Sequence, residues 1–144
     1  MTRNLPVSDN VILTAAQATG EGNSIPCAQF KQKAYTISAT GQGSGDTYTV
    51  KAKGSYAVDA PDFGASATAA NPWFFIEMIN ADSGASVLGS TGAVFDFDAS
   101  TGNELRGYLI NNDSLRWFTL DMTTYTDGNS SGSLTATADL QDNG

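Results

Sequence analysis

The chain has no histidine and a single cysteine, Cys27, among its 144 residues. Without imidazole a serine or cysteine nucleophile lacks its ordinary base, so triad-type acyl transfer is excluded. One thiol closes no intrachain disulfide and supplies no zinc set. Cys27 therefore reads as a small, buried apolar residue. Cations are also scarce. Arg3, Lys31, Lys33, Lys51, Lys53, Arg106 and Arg116 face 15 carboxylates, for a formal net charge of −8. A chain this acidic stays soluble and repels polyanions, so nucleic acid is not expected as a partner.

Long apolar runs are missing as well. No segment approaches the ~20 residues of a membrane span, and Met1–Pro6 lacks the apolar core of a secretion signal. No membrane partner is expected, and folding is expected in a cytosol. The sequons at Asn112 and Asn129 carry little meaning there. Helix-forming runs of Glu, Lys, Leu and Arg are absent. No phosphate-binding glycine motif is present either: Gly41, Gly43 and Gly45 lie between strand-like segments, not ahead of a helix.

What the chain does have is Thr, Ser, Ala and Gly in a period of two. Ala34–Ala39 and Thr47–Lys53 both alternate. One face carries Tyr35, Ile37, Ala39, Tyr48, Val50 and Ala52; the other carries Thr36, Ser38, Thr47, Thr49, Lys51 and Lys53. Folding about the glycine turn brings Ile37 opposite Val50, and a hairpin with one wet face is expected. Lys51 and Lys53 on that face are candidates for meeting an acidic partner surface, or are solvated charges that discourage edge pairing. Trp73–Ile76 is apolar on both faces, which implies a central, doubly buried strand or an interface. Ala93–Asp98 alternates. Leu105–Ile110 and Leu115–Thr124 flank a polar turn and read as a second hairpin. Leu134–Leu140 is the last strand.

The expected fold is all-β: an antiparallel sandwich, Ig-like or jelly-roll-like, over residues 31–144. Residues 1–30 read as an extended N-terminal arm with one short strand at Val11–Leu13. The alternative is an edge strand of the main fold followed by a long loop.

Catalytic and ligand readings are thin. Glu77 near Trp73, or Asp96 with Asp98, are the available glycosidase-type carboxylates, but alternation already accounts for them. Asp96–Glu104 resembles a calcium loop, with its glycine one place late. Trp73, Trp117, Tyr108 and Tyr125 are candidates for a sugar-stacking platform, or for core and subunit contacts. No enzyme activity, cofactor or metal is expected.

Ile37–Gly45 followed by Tyr48–Ser55, and Leu115–Leu120 running through a polar turn into Leu134–Ala138, resemble small β-sandwich proteins of tailed phages, several of which decorate capsids. The resemblance spans residues 30–140, while the Asp59–Asn71 connection is longer than such proteins usually show. It implies a virion structural protein on the capsid surface, assembled in the host cytoplasm. That protein would bridge subunits of the major capsid protein as a homo-oligomer, a trimer or dimer. The alternative is a carbohydrate-binding or tip module of a tail fibre. The partner-binding residues implied are Arg3, Leu5, Val11, Ile12 and Leu13 on the arm, with Lys51, Lys53 and Trp73 on the sandwich. On this reading Met1–Ile25 becomes ordered only on the capsid or in the oligomer, by adding a strand to a neighbour's sheet.

Overall fold

A computed structural model describes residues 11–41, 45–97, 102–127 and 132–141, and every regular element among them is a strand. In chain order these are β1 (Val11–Ala16), β2 (Gly20–Glu21), β3 (Ile25–Pro26), β4 (Gln32–Gly41), β5 (Asp46–Ser55) and β6 (Phe74–Ile76). Then come β7 (Met78–Asn80), β8 (Ser86–Val87), β9 (Ala93–Phe97), β10 (Gly102–Ile110), β11 (Trp117–Thr126) and β12 (Ser133–Gln141). Two antiparallel sheets form a sandwich. The first has the order β1-β12-β4-β10-β7-β8. The second has the order β2-β11-β5-β6, with β3 also on β11 and β9 also on β5.

The pairing is nested. β1 meets β12, β2 and β3 meet β11, β4 meets β10, and β5 meets β9. The chain is thus doubled into one long antiparallel ribbon. Rolling that ribbon adds the contacts of β12 with β4 and of β11 with β5. This is the jelly-roll arrangement and not the Ig-like one.

Alternation explains which residues fill the core. Ile37 and Ala39 from β4, Val50 and Ala52 from β5, Phe118 and Leu120 from β11, and Leu134 and Ala136 from β12 are all fully buried. Cys27, Phe30 and Leu115 are buried in the same cluster. Gly54 permits close packing there, since a Cβ on it would sit 2.5 Å from Leu115 Cδ1.

Four expectations need correction. Residues 34–53 do not form a hairpin: β4 lies in the first sheet and β5 in the second. Ile37 and Val50 still turn toward one interior, but across the sandwich. Alternation and a glycine turn describe an arch as well as a hairpin, and the arch covers both apolar faces. The second expected hairpin, β10 and β11, is split between sheets in the same way. Phe74–Ile76 is not central, because β6 pairs with β5 alone. Finally, from Val11 onward the expected arm belongs to the sandwich. β1 pairs with β12, and Ile12 and Leu13 are core residues, 2% and 7% exposed. The edge-strand alternative describes this segment.

Candidate interaction surfaces

The outward residues of β5 begin as expected and then depart. After Ser55 the chain runs back over the outer face of the second sheet as a strap, residues 56–73. Side chains tie it down. Ser55 Oγ donates to Pro72 O (2.5 Å) and Trp117 Nε1 to Val58 O (3.2 Å), while Trp73 Nε1 closes the strap on itself at Ala65 O (2.8 Å). Asn71 staples the loop internally, donating from Nδ2 to Asp62 O (2.8 Å) and accepting from Asp62 N (2.8 Å). Phe63 is buried beneath the strap, outside the main core cluster.

Lys53 is the latch. Its Nζ donates to Phe63 O (2.8 Å), pairs with Asp121 Oδ2 (2.9 Å) and lies 4.2 Å from the Trp73 ring centroid. The residue is 6% exposed. An ammonium tolerates this burial because a carboxylate, a carbonyl and a ring face replace its water. Lys53 is therefore committed inside the protein and is not a surface contact. Period two set its direction correctly but could not show that a distant loop would cover it.

The structure does bring Lys51, Lys53 and Trp73 together. Lys51 Nζ is 5.3 Å from the Phe75 ring centroid, and Trp73 meets Phe75 edge to face at 5.4 Å. Phe75 remains 40% exposed, Val94 46% and Val58 75%. Phe75 and Val94 are carried by β6 and β9 on the same side of β5, opposite Lys53 and Thr49. With Trp73 against the edge of Phe75 they form an apolar stripe beside Lys51, whereas Tyr56 on the strap packs on Phe74. Sequence reading missed Val94, while Phe75 lay in the Trp73–Ile76 run that it read as a central strand or an interface. The signal for Val94 was an apolar residue at an outward position of its strand.

The outer face of the first sheet is different. It presents short hydroxyl side chains from β4 and β12, such as Thr36, Ser38, Thr135 and Thr137. Its apolar side chains are Leu105 and Leu109 on β10, 67% and 46% exposed. A hollow of about 530 Å³ lies at one end of this face, lined by Ala34, Ile79, Leu109 and Ile110 with Lys31, Gln32 and Asp139 among its polar groups.

The remaining candidates disperse. Arg3 and Leu5 lie outside the described residues; Val11 is half-buried and Ile12 and Leu13 are core. Tyr108 is buried against Tyr35 (centroids 5.5 Å), Tyr125 stacks on Tyr48 (5.2 Å), and both tryptophans donate to strap carbonyls, so these four rings do not form one platform. Glu77 and Asp96 are exposed; Asp98 and residues 99–101 of the calcium-like loop lie outside the described residues. Among the described residues no group of three or more His, Cys, Asp or Glu is placed to hold a metal. Burial pushes the Cys27 thiol up to about 12, against a smaller opposing effect of Lys33, so it is no nucleophile.

The fold defines a class, a small jelly-roll sandwich of two antiparallel sheets. No family model matches the chain, and no curated protein does. Among solved structures the fold is shared with the SPBc2 prophage-derived protein YomS. The TM-score is 0.57 at 13% identity, over 99% of this chain and 94% of that one. At that identity the likeness is one of fold.

Proposed function

We propose that this chain is a non-enzymatic structural protein of a tailed-phage virion, which decorates the outer capsid surface and bridges subunits of the major capsid protein. The observation that carries this reading is the apolar stripe of Trp73, Phe75 and Val94 beside Lys51. Grouped aromatic and aliphatic side chains on a rigid sheet edge are what a protein partner buries. The occurrence of this fold in a prophage-derived protein supports a phage setting. Assembly in the host cytoplasm and a final place on the capsid complete the proposal.

The carbohydrate-module alternative is less well served. Lys53 lies over the Trp73 ring, and Tyr108 is in the core.

Sedimentation with capsid shells tests the proposal. The chain should co-sediment at fixed stoichiometry, and Phe75→Glu should lower occupancy at least about tenfold with an unchanged melting temperature. Absence from the shell fraction, or full occupancy by the variant, would refute it. Submicromolar binding on a glycan array would favour the fibre module instead.

A further inference from the structure

The outer face of the first sheet carries an inference about self-association. In a chain of net charge −8, the outward positions of β4, β10 and β12 hold a single charged side chain, Asp139. Charge depletion with apolar anchors marks the core of an interface. Two copies of so acidic a chain repel least when they meet on their least charged faces.

The relief of the face is self-complementary. Leu105 projects as a knob, 67% exposed, and the hollow of about 530 Å³, lined by Ala34, Ile79, Leu109 and Ile110 with Lys31, Lys33 and Asp139 among its polar groups, lies on the other side of Gly107. Leu105 and Leu109 are on one strand, so they stand about 13 Å apart with Gly107 midway. A two-fold axis lying in the plane of contact and crossing β10 at Gly107 exchanges these positions. Each Leu105 then enters the hollow of the other copy, as an isologous contact requires. The same operation sends the two Asp139 carboxylates to opposite ends, so they do not confront each other. Gly107 offers no side chain to hold the faces apart.

The area suffices. Three strands nine to ten residues long lie side by side over about 30 by 14 Å, and the shorter β1, β7 and β8 extend the face at its two edges. With side-chain relief this nears the ~800 Å² per partner of a stable interface.

We propose that the occupant of this face is a second copy of the chain, packed face to face through the first sheet with Leu105 of each copy in the hollow of the other. The stripe named under the proposed function lies on the opposite sheet, so a dimer built this way shows two stripes pointing apart. The dimer itself stands or falls independently of capsid binding.

Sedimentation equilibrium of the full chain tests it. The unmodified protein should be dimeric at micromolar concentration. Leu105→Glu and Leu109→Glu should each weaken the dimer at least about tenfold, since a carboxylate would be desolvated against leucine. Val94→Glu, on the other sheet, should leave it unchanged. Circular dichroism of each variant confirms folding. The pair Leu105→Lys with Leu109→Glu should restore the dimer at low salt, because the proposed two-fold sets each new cation against the other copy's new carboxylate. A monomer at about 100 μM, a dimer indifferent to both glutamates, or no rescue by the pair would overturn the proposal. If the unmodified chain is monomeric and these glutamates abolish shell binding, the face belongs to the capsid and not to a second copy.

Discussion

Burial treats the polar side chains of this protein unequally. Lys53 has three kinds of partner, whereas Lys33 Nζ and Tyr35 OH are sealed inside with no hydrogen-bond partner. Both project inward from β4, where alternation puts apolar residues. An unpartnered buried amine carries a desolvation cost that a thioether of similar shape does not. Lys33→Met should therefore raise stability by about 1–3 kcal/mol, read as a shifted urea midpoint at constant slope. Tyr35→Phe should change it by less than about 1 kcal/mol, because no hydrogen bond is lost. A lower midpoint for Lys33→Met would show that the amine has a partner in solution. Neither orphan was visible in the sequence, because inward direction is local while the neighbours of an inward group are not.

Among the elements, the strap is the one whose attachment depends on few contacts. It has no strand of its own, and it is held by backbone carbonyls accepting from Lys53, Trp117 and Ser55. Lys53→Ala removes the donor to Phe63 O and leaves Asp121 without its cation. A loss of about 2–3 kcal/mol is expected, below that of a deeply buried pair because Asp121 keeps some water. The local signature is more telling. Amide exchange in residues 57–72 should accelerate, while β4 and β12 stay as protected as before. Equal acceleration everywhere would mean that Lys53 supports the sandwich as a whole. The strap also shows why one candidate site was half legible. The sequence singled out Lys51, Lys53 and Trp73, and the fold does gather them. The long connection between them read as a mere link, since Ala and Gly show no periodicity from which docking could be inferred.

The whole molecule responds to alkali through groups spread over both sheets. Burial raises Cys27 from 9.0 to about 12 and holds Tyr35, Tyr48 and Tyr125 above the ordinary tyrosine value of 10.0, with Asp127 adding to the effect on the last two. Each is an acid whose protonated form the fold favours. The unfolded chain releases these protons first, so it binds fewer of them above pH 9. Stability is then complete below about pH 9 and falls as pH rises toward 12 and beyond, by up to ~1.4 kcal/mol per pH unit for each group. Urea midpoints across that range, with tyrosinate absorbance followed in parallel, measure this. A midpoint flat to pH 11, or tyrosines that all ionise near their free value before unfolding, would contradict it.

The sequence by itself determined the all-β class, the inward set Tyr35, Ile37, Ala39, Tyr48, Val50 and Ala52, and the inertness of Cys27, since side-chain direction repeats every two residues and needs no knowledge of distant chain. Tertiary structure alone decided that β4 and β5 face each other across a sandwich, that Val11–Leu13 closes a sheet edge, and that Lys53 lies under a strap. Those choices turn on which distant segment covers an apolar face or a buried charge. Such cover depends on the rolled path of the entire chain, about which no short window carries information.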